Sequence, residues 1–198
     1  MIVLDGVDGC GKSTQAARLA KRLKGIQAEV LHVREPGSTV LGEGLRKLLL
    51  ETATTIEAPV EVLLFAAARR QLLDEVIQPA LARGAWVVCE RFHSSTYAYQ
   101  GHAGGAGAQE VLQLLQQWAG DPVPDLELIL ELDPEHALQR RGQASDRIEA
   151  RGLSYQQHVA EGYRLYAKEI PRARLVVATG GVDEVAERVW KEVSSVVG

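Results

Sequence analysis

The sequence predicts a doubly wound α/β domain in which helices cover both faces of a five-stranded parallel sheet. Short runs rich in valine, isoleucine and leucine recur along the chain, separated by segments of helical periodicity. These runs are continuously apolar rather than alternating, as is typical of strands buried on both faces. The 198 residues contain no linker, repeat or low-complexity block. Residues 1–198 are therefore expected to form one domain.

Each predicted element follows from its own stretch of sequence. The apolar runs MIVLD, AEVLHV, AWVVCE, LELILEL and RLVVA predict strands at 1–5, 28–33, 85–90, 126–132 and 174–178. The intervening periodicity predicts helices at 12–24, 39–50, 58–83, 108–119, 134–142, 154–169 and 182–196. Pro59, Pro134 and Pro171 fall near element ends, where proline is tolerated. In such a fold the loops after residues 5, 33, 90 and 133 should surround one cleft.

Composition limits the classes of partner. The net charge of −4 provides no overall basic field for nucleic acid, so a bound anion must be held by a local cluster. No run of about 18 apolar residues predicts a membrane span, and the first residues are too short and polar for a signal peptide. Cys10 and Cys89 lack metal or disulfide spacing, which is consistent with a reducing cytoplasm.

The stretch GVDGCGKS, from Gly6 to Ser13, matches G-x-x-x-x-G-K-[ST] between a predicted strand and a predicted helix. Gly6, Gly9 and Gly11 would let backbone N–H groups approach phosphates at a helix N-terminus. Lys12 would neutralise the outer phosphates, and Ser13 would offer its hydroxyl to Mg²⁺. An ordinary glycine turn does not require this register. The stretch therefore predicts a phosphate-binding loop for a nucleoside triphosphate.

The other predicted loops carry arginines in a chain that is acidic overall. The stretches concerned are REPGS (34–38), LLFAAARRQ (63–71), ERFHSSTYAYQG (90–101) and QRRGQASDRIEAR (139–151). The planar fork of arginine suits phosphate, so Arg34, Arg46, Arg69, Arg91 and the arginines between 140 and 151 suggest a second substrate with several negative charges. On helix periodicity, Arg69 rather than Arg70 shares a face with Phe65.

Taken together in order, DGVDGCGKST, REPG, LLFAAAR, ERFHSSTYAYQG and DRIE resemble the bacterial thymidylate kinase family over essentially the whole chain. The resemblance implies the P-loop kinase fold and transfer of the γ-phosphoryl group of ATP to dTMP, giving dTDP and ADP in dTTP biosynthesis. It also implies Mg²⁺ as cofactor, a mobile lid at about 139–151, and a homodimer in the cytoplasm, with ATP and dTMP as partners and no nucleic acid or membrane.

The resemblance also implies residue roles. The ATP-binding set is Gly6, Val7, Asp8, Gly9, Cys10, Gly11, Lys12, Ser13, Thr14, Arg140, Arg141 and Arg147. The dTMP-binding set is Asp8, Glu35, Pro36, Arg46, Phe65, Arg69, Arg91, Thr96, Tyr99 and Gln100. Lys12, Arg91 and Arg147 would be catalytic, and Ser13, with Glu90 as a second candidate, would bind the metal.

Within the acceptor set, the resemblance implies that Phe65 stacks on thymine and Arg69 bonds its carbonyl edge. Asp8 would bind the 3′-hydroxyl, and Tyr99 would exclude a 2′-hydroxyl. Glu149 would be a polar neighbour of the acceptor.

Two residues depart from the commonest family pattern: Glu90 where aspartate is usual, and Asp5 where glutamate is frequent. The loop Gly9–Gly11 also lacks a basic side chain, so that charge is expected from the lid arginines. The alternatives are a kinase for another nucleoside monophosphate, such as UMP or CMP, a kinase for a non-nucleotide metabolite, and a P-loop ATPase or switch module. A GTPase switch should carry N-K-x-D, whereas this chain has no asparagine.

Overall fold

The computed structural model describes residues 1–51, 55–144 and 146–196, and five parallel strands form one sheet within them. The strands are β1 (Ile2–Gly6), β2 (Val30–Arg34), β3 (Trp86–Glu90), β4 (Leu126–Glu131) and β5 (Ala173–Val177). Their order is β2-β3-β1-β4-β5, and Ile2 at the start of the central strand pairs with both Val88 and Leu126. The predicted doubly wound fold is confirmed.

Helices flank the sheet and connect its strands. They are α1 (Lys12–Leu23), α2 (Val40–Leu50), α3 (Ala58–Leu72), α4 (Gln78–Ala82), α5 (His93–Thr96), α6 (Ala108–Ala119), α7 (Pro134–Arg141), α8 (Gly152–Glu169) and α9 (Val182–Ser194). Along β1, Ile2 and Leu4 join a core with α1, α8 and α9, whereas Val3 joins one with α3 and α4. This alternation covers both faces of the sheet. None of the helices in the described ranges is long and apolar enough to cross a membrane.

Two helical regions differ from the prediction. The helix expected at 58–83 is α3 followed by a π-helical stretch, Leu73–Ile77, and then α4. The segment after β3, expected as a loop, is helical: α5 continues into a π-helical stretch, Tyr97–Ala103. Its aromatic and glycine-containing sequence gives little helical signal, and its start is bonded to a residue distant in sequence, as described below. Elsewhere the boundaries differ by one or two residues.

Candidate active site

The loop between β1 and α1 folds around the ammonium group of Lys12. Lys12 Nζ donates to the carbonyl oxygens of Gly6 and Val7, each at 2.9 Å. Gly9 has φ +87°, and a Cβ there would lie 2.1 Å from the carbonyl oxygen of Ala137. Glycine is therefore required by both conformation and space. The loop ends at Gly11, the N-cap of α1, where the helix N-terminus favours anions.

Asp8, at the centre of this loop, connects it to the end of β3. Its carboxylate pairs with Arg91, accepts from Tyr99 OH at 2.8 Å and from Gln156 Nε2 at 3.3 Å, and lies 3.7 Å from Lys12 Nζ. Burial alone would raise the pKa of Asp8, but the charges of Arg91 and Lys12 and these hydrogen bonds hold it well below its usual range. Asp8 is therefore an anion that keeps two cations beside the loop.

A second buried carboxylate organises the segment that carries Arg91. Asp5, at 0% exposure, accepts hydrogen bonds from the backbone N–H of Phe92 and from the hydroxyls of Ser94, Ser95 and Tyr163, the hydroxyl bonds being 2.6–2.7 Å. These bonds join β1 to the start of α5. Sequence reasoning noted Asp5 only as a departure from the family pattern, because its partners are about 90 residues away or more.

Ser13 and Glu90 bring a hydroxyl and a carboxylate together where α1 begins. Ser13 Oγ donates to Glu90 Oε2 at 2.5 Å, and Glu90 Oε1 lies 2.8 Å from His32 Nε2. No group of three or more His, Cys, Asp or Glu side chains within the described ranges could by itself hold a metal ion. A hydroxyl and one carboxylate fit Mg²⁺, which keeps waters and substrate phosphates among its ligands.

A cavity at the carboxyl edge of the sheet brings together all ten residues of the predicted acceptor set, from Asp8 to Gln100. Its wall also contains five residues outside that set: Leu50, Ser95, Asp146, Ile148 and Glu149. Glu149 was expected as a polar neighbour of the acceptor, whereas Asp146 and Ile148 belong to the segment 140–151 that was expected to form a lid over ATP. The segment before α8 therefore closes the acceptor cavity.

Arg69 lies inside this cavity wall and is 1% exposed. Its Nε donates to Glu35 Oε2 at 2.6 Å, and its Nη2 donates to the Phe92 carbonyl and to Thr96 Oγ1. Arg69 Nη1 and Glu35 Oε1 are buried and have no hydrogen-bond partner among the described residues. Because such groups are costly to leave unpaired, they are suited to a polar ligand. Arg70, as expected, points outward and pairs with Asp74.

A second cavity lies over the phosphate-binding loop. It is lined by Gly9, Gly11, Lys12, Ser13, Thr14, Arg34 and Glu90, together with five residues that also line the acceptor cavity: Asp8, Glu35, Arg46, Arg91 and Glu149. Gly6, Val7 and Cys10 of the predicted ATP set are buried within the loop and do not line this cavity. Burial also raises the pKa of Cys10, which leaves it a thiol. The two cavities are thus joined, with Arg91 and Arg46 at their junction.

The three predicted lid arginines lie in different places. Arg140 donates to the Ala178 carbonyl beyond β5. Arg141 lies beside the loop, its Cβ 3.2 Å from where a Cβ on Gly9 would be. Its Nε is 3.8 Å from Glu149 Oε2, and its buried Nε and Nη1 have no hydrogen-bond partner in the described chain. Arg147 instead pairs with Glu61 of α3 and donates to the Leu49 carbonyl. Of the three, Arg141 is the one beside the phosphate loop.

Sequence reasoning overlooked Glu61 as well as Asp5. A glutamate in the first turn of a helix reads as a solvated charge, yet Glu61 is fully buried and binds two arginines. The apolar residues around Glu61, in the stretch IEAPVEVLL, were the only indication in the sequence that this glutamate is buried.

Comparison with known proteins gives concordant matches. Residues 4–189 match the family model described as thymidylate kinase. The chain is 43% identical to a thymidylate kinase of Afipia carboxidovorans, covering 96% of this chain and 86% of that one. It is 41% identical to that of Deinococcus radiodurans, with 98% and 95% covered. The crystal structure of thymidylate kinase from Ehrlichia chaffeensis is similar at TM-score 0.81 and 31% identity, covering 98% and 97% of the two chains.

Proposed function

The chain belongs to the thymidylate kinase family, and on that premise we propose that its two joined cavities hold the two substrates of one phosphoryl transfer. The enzyme transfers the γ-phosphoryl group of ATP to dTMP, giving dTDP and ADP. The observation that carries the proposal is the set of five residues shared by both cavities, which includes two arginines at their junction. The readings as a UMP or CMP kinase and as an ATPase or switch are not favoured.

The triphosphate lies along the loop from Gly6 to Thr14, with its outer phosphates facing Lys12. The backbone N–H groups at the start of α1 bind anions directly. Arg141 supplies the lid charge, because it lies beside Gly9 and its buried Nε and Nη1 donate no hydrogen bond to a described residue. Its Nε forms a longer ion pair, at 3.8 Å, with Glu149 Oε2. Arg140 borders a depression with Leu132, His136 and Thr179 beyond β4 and β5, which we assign to the nucleoside end of ATP.

The monophosphate lies in the acceptor cavity, with its base between the Phe65 ring and the polar side chains of Arg69, Thr96 and Gln100. Phe65 offers a ring for stacking, and the unpaired Nη1 of Arg69 suits a base carbonyl oxygen. Glu35 and Pro36 complete the wall behind this group. Burial raises the pKa of Glu35 to about 7, against the opposing charge of Arg69.

The sugar lies against Asp8 and Tyr99. The Tyr99 hydroxyl donates to Asp8 Oδ2 at 2.8 Å, and that bond fixes the ring within the cavity. A rigid, buried ring at this position leaves little room for a 2′-hydroxyl. The Asp8 carboxylate accepts hydrogen bonds and is suited to a 3′-hydroxyl.

Chemistry at this site requires no general base, because a phosphate acceptor is already ionised at neutral pH. Catalysis depends on alignment and on neutralising charge. Arg91 and Arg46 orient the acceptor phosphate at the junction, and Lys12 and Arg141 stabilise charge on the transferred group. We assign Mg²⁺ to Ser13 and Glu90; when bound, it neutralises phosphate charge and helps to align the reacting oxygens.

Arg147, predicted to be catalytic, is assigned instead to holding the lid segment against α2 and α3. Its bonds to the Leu49 carbonyl and Glu61 support that role. Segment 139–151 would exclude water as a competing acceptor.

The test is ADP release from Mg-ATP with dTMP, dUMP, the ribonucleotide TMP, UMP, CMP, AMP and GMP as separate acceptors. Rapid turnover with dTMP and little with ribonucleotides supports the base and sugar assignments. Turnover mainly with another monophosphate would refute the acceptor-site assignment, and ATP hydrolysis without any acceptor dependence would favour an ATPase instead.

A further inference from the structure

A buried carboxylate connects the acceptor cavity to the lid segment. Glu61, in the first turn of α3, is 0% exposed. Its Oε1 accepts from Arg147 Nη1 and Arg151 Nη2, both at 2.6 Å, and its Oε2 accepts from Gln100 Nε2 at 2.9 Å. Glu61 does not itself line either cavity. It therefore acts on ligands through its partners.

The two arginines tie Glu61 to the segment before α8. Arg147 also donates to the Leu49 carbonyl, and Arg151 donates to the hydroxyl of Tyr155 at 2.9 Å. Two guanidinium groups thus compensate one buried carboxylate, so removing the carboxylate would leave two confined positive charges facing each other.

Glu61 also fixes the orientation of the Gln100 amide. An ionised carboxylate only accepts hydrogen bonds, so it selects the NH₂ side of the amide rather than its oxygen. Gln100 Oε1 consequently lies on the other branch of the amide. No described residue donates a hydrogen bond to that oxygen, and Gln100 lines the acceptor cavity.

We propose that Glu61 is a positioning residue that sets base selectivity by holding Gln100 with its carbonyl oxygen available to the base. Thymine and uracil carry an N–H group at N3, which can donate a hydrogen bond to that oxygen. Cytosine carries a lone pair at N3, which the same oxygen repels. The proposal rests on the proposed function, in which the base occupies this cavity. Since the same carboxylate holds two lid arginines, base selection and lid seating depend on one residue.

The test compares Glu61→Gln with Glu61→Asp, and uses Glu57→Gln on the exposed N-cap of α3 as control. Glutamine at position 61 matches glutamate in size but can present either an N–H donor or an oxygen acceptor, so the Gln100 amide can rotate by half a turn. Aspartate at position 61 is shorter but, like glutamate, only accepts hydrogen bonds. We expect Glu61→Gln to lower the ratio of kcat/KM for dTMP over dCMP by about tenfold or more. Glu61→Asp should keep that ratio within about threefold while kcat falls, and neither should change the dTMP/dUMP ratio.

A merely structural role predicts the opposite order, with isosteric glutamine milder than aspartate and all acceptors affected equally. That order, or an unchanged dTMP/dCMP ratio in Glu61→Gln, would overturn the proposal while leaving the proposed function intact. Wild-type enzyme that phosphorylates dCMP as well as dTMP would instead refute the base assignment itself. If Glu61→Gln does not fold, Gln100→Met provides the test. An undiminished ratio of kcat/KM for dTMP over dCMP in Gln100→Met would refute the role of the Gln100 amide.

Discussion

Arg91 shows how a single residue depends on its surroundings. Its φ of 67° lies in the left-handed region, which costs a non-glycine residue on the order of 1–3 kcal/mol. Its backbone N–H donates to the Leu4 carbonyl at 3.0 Å, and its side chain binds Asp8 and the Ser95 hydroxyl. These contacts compensate the strain and direct the guanidinium group to the junction of the two cavities.

Replacement of Arg69 tests the base contact. We expect Arg69→Met to raise the KM for dTMP by about 10–100-fold, because a buried donor to the base carbonyl is lost and Glu35 is left unpaired. The KM for ATP should change little. Steady-state kinetics with each substrate varied measures both effects, and Arg70→Met, on the exposed side of the same helix, is the control. Equal effects of the two substitutions would contradict the assignment.

The lid arginines give a second comparison between neighbouring residues. Arg141→Met should lower kcat by about 100-fold, as expected when a group that stabilises transition-state charge is removed. Arg140→Met should affect mainly the KM for ATP, since Arg140 donates a hydrogen bond to the Ala178 carbonyl and lies away from the loop. Kinetics under saturating substrates distinguish the two. A larger loss of kcat in Arg140→Met would reverse the assignment.

At the scale of elements, the contact between the phosphate loop and α7 has almost no spare room. A Cβ on Gly9 would meet the Ala137 carbonyl oxygen at 2.1 Å, whereas Gly84, at a similar φ of +81°, has nothing within 4 Å. Gly84→Ala should therefore cost only about 1 kcal/mol of unfolding free energy, from conformation. Gly9→Ala should cost about 2 kcal/mol more and weaken ATP binding. Urea unfolding and nucleotide titration measure this, and equal losses would contradict the close packing.

Helix α5 carries a buried neutral histidine. His93 stacks on Phe92, and its Nε2 lies 2.8 Å from the Ala119 carbonyl oxygen. Burial, with the charges of Arg69 and Arg172, lowers the pKa of His93 to about 3. Because the unfolded chain binds a proton near pH 6.5 and the folded chain does not, His93 makes stability fall as pH drops from 6.5 towards 3.

Because of His93, the free energy of unfolding at pH 5.5 should be about 1.4 kcal/mol lower than at pH 7.5. The reason is that pH 5.5 lies about one unit below the pKa of histidine in the unfolded chain. His93→Gln should remove that part of the pH dependence, while His158→Gln on the exposed side of α8 should keep it. Urea unfolding at the two pH values is the measurement. An unchanged difference in His93→Gln would show that other groups cause it.

At the scale of the molecule, α3 exposes apolar side chains, whereas α6 exposes one tryptophan among glutamine and glutamate side chains. The two helices pack together through Val62, Ala66, Val111 and Leu115, yet Leu63 and Trp118 are 58% and 63% exposed. Exposed apolar residues on one helix, here Val60 and Leu63 of α3, are typical of an interface. We propose that this face forms a homodimer.

Light scattering should therefore give twice the 21.5 kDa chain mass. Leu63→Glu should give monomers, because a charge would be buried at the interface. Val177→Glu, on the exposed side of β5, should leave the mass unchanged. A wild-type monomer at micromolar concentration would refute this surface as a stable interface. Location in the cytoplasm stays a prediction.

Fold class and the phosphate loop could be predicted from the sequence, since both depend on local patterns: apolar runs at strand length, and a glycine-rich turn between a strand and a helix. The family resemblance indicated Phe65 and Arg69, and helix periodicity favoured Arg69 over Arg70, because residues four apart share a helix face. The rule that segments at the carboxyl ends of parallel strands meet accounts for the acceptor residues that follow β1, β2 and β3. Arg46, Phe65 and Arg69 lie on α2 and α3 and reach the same cavity through helix packing.

The partners of the charged residues could not be predicted from the sequence and became visible in the folded chain. Glu61 looks like a solvated charge in sequence, and Arg147 was expected to bind ATP, yet the two bond each other across 86 positions. Asp5 likewise accepts from Ser94, 89 positions away. The tertiary structure also showed that Arg141 lies beside the phosphate loop and that the segment 93–103 is helical. The physical reason is that burial and hydrogen-bond pairing depend on contacts between distant segments, and no local periodicity records them.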